Sequence, residues 1–243
     1  MLPHNKNYNL VALIILDGWG LAPPSPGNAI EKANTPFFDR LWASQPHTQL
    51  KASGEAVGLP PGEMGTSEVG HLNIGAGRIV PQDVSKINNA IENGTFFHNP
   101  VLLKACEKVT KEEKKLHLMG LVSEGLVHAS MEHLFALLEL CSQQNLAQDD
   151  VKIHFFSDGR DTPPRSARKY LHELKDKMEE YQIGKLASVT GRYYAMDRDR
   201  RWERTQRAYR ALTLGEGKKA ATAEEAIEQA YARGEGDEFI QPT

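Results

Sequence analysis

Residues 62–77 read GEMGTSEVGHLNIGAG, and among their five glycines stands one serine, Ser67. Glycine permits left-handed and strained backbone, so such a stretch can pass close to an anion. Ser67 is a candidate nucleophile, but a serine hydroxyl must lose a proton to attack, and no histidine and carboxylate are spaced around it as an obvious relay. A metal ion would do that work. The plainer reading, in which Ser67 caps a short helix over residues 69–74, stays open beside it. The stretch does not fit the hydrolase elbow, since the interval from Gly65 to Gly70 is one residue too long for G-x-S-x-G. Neither G-x-x-x-x-G-K-[ST] nor G-x-G-x-x-G occurs in it.

Further groups able to handle an anion fall in three later loops. The first carries His128, the second Asp158, Arg160 and Asp161 in SDGRDTPP, and the third Arg192 and Arg198 in GRYYAMDRDRR. Arginine forks match phosphate and carboxylate oxygens in pairs. Each has a structural alternative: His128 as a satisfied loop histidine, the aspartates as turn formers, Asp161 as a partner of Arg160. Asp17, just before Gly18, reads equally as a turn residue or as a carboxylate at the end of a strand, and Asn28 as a substrate contact or a turn former.

These residues need elements to position them. The apolar run at residues 11–16 predicts a strand buried on both faces, with Asp17 at its C-terminal end, where ligands gather in parallel sheets. Residues 47–51 are a possible second strand, which leaves an imbalance, because two strands cannot bury such a run. Thr35 and Pro36 open a helix through Trp42. Helical patterning resumes at residues 83–91 and 101–109, separated by an Asn93–Gly94 turn. From residue 116 the chain alternates: strands at 116–122, 151–156 and 186–190, each followed by one of the three polar loops and then by a helix, ending near residues 140, 178 and 212. That predicts an α/β fold with a parallel sheet covered by helices, all three loops emerging on one side. In the last helix Trp202, Tyr209 and Leu212 recur as a buried stripe, leaving Arg200, Arg204 and Arg207 on a solvated face.

A net charge of −3 over 243 residues gives no sign of nucleic-acid or membrane binding, so any anion site is built locally. The polar N-terminus and the brevity of the 11–16 run argue against a signal or membrane segment. The two cysteines, Cys106 and Cys141, sit in amphipathic patterns and read as reduced core residues of a cytoplasmic protein.

The wording GLPPGEMGTSEVGHLNIGAGRIVPQD, with LIILDGWG near the start, closely resembles the cofactor-independent phosphoglycerate mutases, metal-dependent members of the alkaline phosphatase superfamily. The resemblance runs from about Leu10 to the end. It implies a monomeric enzyme that interconverts 3- and 2-phosphoglycerate through a phosphoserine at Ser67, without 2,3-bisphosphoglycerate. Asp17 and Ser67 would bind manganese, of which two ions are expected in a full-length enzyme. VHAS supplies His128, DGRD supplies Arg160 and Asp161, and GRYYAMDRD supplies Arg192 and Arg198 as substrate contacts, with Asp161 the local candidate for carrying a proton between glycerate hydroxyls. One loop departs from the family: SEGLVHAS stands where SDGGVHSH is usual, and losing a glycine at Leu126 is expected to bear on the loop backbone.

Family members are about twice this length and have a discontinuous phosphatase-like domain. The resemblance therefore implies that residues 1–82 are the incomplete N-terminal part of that metal-binding domain. Residues 83–243 would be a three-layer, transferase-like substrate domain whose C-terminal segment, DEFIQPT, looks like the entry to a further strand. The later metal ligands would be absent, and the chain alone is expected to have no mutase activity. Two alternatives stand: an inactive phosphoglycerate-binding fragment, and another metal-dependent phosphatase or phosphomutase of the superfamily.

Overall fold

Strand, loop and helix alternate from Leu116 onward as the pattern predicts. The computed structural model describes residues 10–243, and the polar segment at 1–9 lies outside the described residues. The chain divides into two compact units, Met1–Gln82 and Asp83–Thr243.

The second unit runs α4 (Asp83–Glu92), α5 (Pro100–Glu112), β1 (Leu116–Leu121), α6 (Met131–Gln143), β2 (Val151–Ser157), α7 (Ala167–Tyr181), β3 (Lys185–Gly191), α8 (Arg192–Ala195), α9 (Trp202–Leu214) and α10 (Ala223–Ala232). Its three strands are parallel in the order β1-β2-β3, with Leu118 opposite Ile153 and Ile153 opposite Leu186. Ile153 and Phe155 of the central strand are fully buried and join Leu138, Leu174, Ile227 and Ile240 in one core, so helices flank the sheet as its apolar runs require. Local chemistry sets the helix starts. Pro100 occupies the first position of α5, where no amide donor is needed, while Asn99 accepts from the Val101 and Leu102 amides. Cys106 and Cys141 are both free thiols within this core, and burial pushes Cys141 up to about 12.

One expectation for this unit is corrected. Trp202 and Tyr209 are 70% and 63% exposed, so they form no buried stripe; α9 turns inward the small Ala208 and the half-buried Arg204. The Arg204 guanidinium lies 3.8 Å from the Tyr193 ring centroid and donates to Asp197 (3.2 Å). A flat cation over an aromatic face thus takes a place assigned to an indole. The C-terminal segment opens with a helical turn at Asp237–Phe239 and continues as extended chain. That chain bonds to β3 through Gly191 N–H to the Ile240 carbonyl (2.8 Å) and reciprocal bonds between Val189 and Thr243 (3.0 Å).

In the first unit the described helices are α1 (Ala29–Lys32), α2 (Pro36–Ser44) and α3 (Ser67–Ala76). Residues 11–16 do not form the expected strand. They pair with no strand among the described residues, and Val11 and Leu13 are each 80% exposed. Residues 47–51 are likewise not a strand. With no ladder to join, neither segment can satisfy its backbone groups in a sheet. An aromatic row serves for local packing instead: Trp19 against Phe38, Phe38 against Trp42, and His47 stacked 3.8 Å from Trp42. Asn28 is a helix cap and turn former, accepting from Glu31 N–H and donating to the Ala22 carbonyl.

Candidate active site

Within the first unit, the fold joins two residues separated by 50 positions: Ser67 Oγ donates to Asp17 Oδ2 at 2.5 Å. Asp17 sits in a turn in which Trp19 N–H bonds the Leu16 carbonyl and Gly18 adopts φ +74°. Ser67 is the first residue of α3. The cap is its neighbour Thr66, whose hydroxyl accepts from Val69 N–H (3.4 Å), which corrects the capping alternative and leaves the Ser67 hydroxyl for Asp17. The approach to Ser67 depends on Gly65, where a Cβ would meet the Ala52 carbonyl oxygen at 1.7 Å. At the N-terminus of a ten-residue helix, Ser67 lies where unbonded amides favour negative charge.

His71, one turn on, places Nδ1 2.8 Å from the Ser67 carbonyl and 3.2 Å from Ser67 Oγ. The carbonyl can only accept, so Nδ1 carries the proton and is not free to take one from Ser67. The nearer acceptor for the serine proton is Asp17. Asp17 and Ser67 are hard oxygen donors suited to a magnesium- or manganese-type cation, and two oxygens fill only part of such an ion's coordination. Among the described residues no group of three or more His, Cys, Asp or Glu forms a metal cluster.

The second unit gathers the loops that follow its strands. Arg192 opens α8 directly after β3; its Nη1 donates to Asp158 Oδ1 (2.8 Å) and to Asp161 Oδ2 (2.6 Å). Asp161 therefore pairs with Arg192, not Arg160. His128 Nε2 stands 3.8 Å from Asp161 Oδ2. Asp158, 3% exposed, also accepts from Ser123 Oγ (2.6 Å) and from the Arg160 and Asp161 amides (3.1 and 3.0 Å). Burial opposes its charge, but the Ser123 hydroxyl, the two amides and the Arg192 guanidinium hold its carboxyl below the usual carboxylate range. Arg160 and Arg198 stay outside this cluster: both are exposed, Arg160 reaching 3.8 Å from Glu238.

Comparison with known proteins decides the ancestry. Residues 87–243 match the family described as BPG-independent PGAM N-terminus. The chain belongs to that family. A 2,3-bisphosphoglycerate-independent phosphoglycerate mutase of Desulforudis audaxviator is 56% identical over 233 residues, and that of Symbiobacterium thermophilum is 54% identical. Each match covers 96% of this chain and 45% of the relative, so the chain spans under half the length of these curated mutases. Among solved structures, Leishmania mexicana phosphoglycerate mutase at low cobalt concentration superposes with a TM-score of 0.75 at 32% identity, over 94% of this chain and 43% of that one.

In this family member, two features of the site escaped sequence reasoning. His71 was legible as the i+4 neighbour of Ser67 on a helix. Ser123 gave no signal beyond standing at a strand end. At Leu126, where the sequence marks a lost glycine, the loop has φ +54°, with Val127 N–H bonded to the Gly125 carbonyl (2.7 Å) in a strained three-residue turn. The backbone there takes a left-handed φ that favours glycine, and the leucine bears the strain.

Proposed function

We propose that this chain supplies the phosphoryl-accepting serine and the substrate-holding loops of an enzyme that interconverts 3- and 2-phosphoglycerate without 2,3-bisphosphoglycerate, as part of a longer polypeptide acting as a cytoplasmic monomer. The observation that carries the reading is the 2.5 Å contact between Ser67 and Asp17, at a helix N-terminus suited to an anion. Attack forms a bond from Ser67 Oγ to phosphorus, with the serine proton passing to Asp17 until return transfer restores it, and breaks the bond from phosphorus to the C3 oxygen of glycerate, which takes a proton from Asp161. Return transfer breaks the bond to Ser67 and forms one to the C2 oxygen, whose proton leaves. Asp161 carries that proton between the two hydroxyls. Arg192, Arg160, Arg198 and His128 hold the phosphate and carboxylate of the substrate.

Asp17 and Ser67 would hold part of a manganese site. A divalent cation there, when bound, lowers the pKa of the serine hydroxyl and offsets charge on the transferring group. No helix among the described residues is long and apolar enough to cross a membrane.

The test joins residues 1–243 to the remaining portion of the Desulforudis audaxviator relative and traps the chimera during turnover with 3-phosphoglycerate and manganese. Mass spectrometry should find phosphate on Ser67, and Ser67→Ala should abolish 2-phosphoglycerate formation. Phosphate on any other residue would sink the reading.

A further inference from the structure

The side chain that links all three polar loops is one that the substrate reading leaves without a role. Asp158 Oδ2 accepts from Ser123 in the loop after β1, Oδ1 accepts from two amides of its own loop after β2, and Oδ1 also accepts from Arg192 at the end of β3. It is buried while Arg160 beside it is exposed, so it faces the protein and not the ligand. Arg192 meets Asp158 and Asp161 through the two hydrogens of one nitrogen, Nη1. Its Nε and Nη2 donors have no hydrogen-bond partner among the described residues, and three N–H bonds of a planar fork remain to grip an oxyanion. Gly125 permits the close packing of the loops: a Cβ there would lie 3.2 Å from Asp158 Oδ2 and 3.0 Å from Asp161 Cβ.

We propose that Asp158 is a positioning residue for this site, clamping Arg192 by one nitrogen so that its remaining donors are aimed at the anionic ligand, and fixing the turn that carries Arg160 and Asp161. The inference rests on the phosphoglycerate reading for the ligand, but not for the clamp. It makes a counter-intuitive electrostatic claim. Charge alone says that removing a carboxylate beside an anion site tightens anion binding, whereas loss of a clamp weakens it.

The experiment uses the 243-residue chain, with Asp158→Asn, which keeps the shape, and Ser123→Ala, which removes one of the bonds. Calorimetric titration with 3-phosphoglycerate should give an affinity at least tenfold weaker for Asp158→Asn and a smaller loss for Ser123→Ala, with far-UV circular dichroism unchanged. In parallel, nitrogen-resolved NMR should find slow solvent exchange of the Arg192 side-chain protons in the parent chain and fast exchange in Asp158→Asn. Equal or tighter binding by Asp158→Asn, or an Arg192 signal that the substitution does not alter, overturns the clamp. If the parent chain binds no 3-phosphoglycerate, the substrate reading fails for this chain, and the Arg192 signal alone decides the clamp. Should Asp158→Asn not fold, the Arg192 exchange in Ser123→Ala decides it: faster exchange supports the clamp and unchanged exchange overturns it.

Discussion

At the scale of single residues, Leu126 places a branched side chain at a backbone angle that suits glycine. A leucine at φ +54° brings its Cβ toward the following carbonyl, at about 1–2 kcal/mol, while glycine adopts the same angle freely but gives up more chain entropy on folding. Leu126→Gly should therefore stabilise the protein by roughly 0.5–1 kcal/mol, read as a higher urea midpoint at unchanged slope. A lower midpoint would mean that the half-exposed leucine side chain contributes packing that outweighs the strain. The same scale marks how far a sequence speaks for its site. Ser67 and Asp17 stood out through the family wording, since their own spacing left a helix cap and a turn residue open; the structure brings the two side chains into contact. The contact of Arg192 with Asp158 and Asp161 was not, because nothing in the spacing of two loops says which of several arginines will turn inward. Arg192 does so because it follows β3 immediately; Arg198, six residues on, has left the strand end and lies in solvent.

Among the elements, β2 carries a titration that the site does not use. His154 is 5% exposed, between His117 on β1 (Nδ1 to Nε2, 2.9 Å) and Ser188 on β3 (2.8 Å). Burial first, and then the neighbouring His117, hold its pKa below the ordinary histidine value. Below about pH 6.5 the unfolded chain takes up a proton that the folded strand resists, so stability falls as the medium becomes more acidic. His133 on α6, also lowered by burial, acts in the same direction. The urea midpoint should drop between pH 7.5 and 5.5, and His154→Asn should remove part of that drop; an identical pH profile in the variant would assign the effect elsewhere. The strands themselves were readable from apolar runs, but α7 shows what was not. Its first amides, Ser166 and Ala167, are bound by Asp237 Oδ2 at 2.7 and 2.9 Å, a cap supplied from 70 residues downstream. No local motif announces a cap of that kind, since capping signals are read from the residue next to the helix.

For the molecule as a whole, the two units differ in how far they enclose their apolar residues. The second unit closes a core around Phe155, Tyr170 and Leu171, with Ile240 filling it from the far end of the chain. In the first, Leu10, Val11, Leu13 and Ile14 are 69–85% exposed, although their run is the most strand-like in the chain. The sequence correctly marks that run as material for a sheet interior, yet a strand exists only where partners satisfy its amides, and partnership is a property of more than the run itself. Hydrogen exchange separates the two cases. Amides across residues 11–16 should exchange within seconds at neutral pH, while those of Ile153 to Phe155, bonded on both sides in the parallel sheet, should persist to the limit set by global unfolding. Slow exchange at 11–16 that depends on protein concentration would show the run pairing with a second copy, the expected hazard of an unpaired apolar edge. Slow exchange independent of concentration would mean that the first unit builds a sheet for it in solution, and the picture of an unpartnered strand would fall.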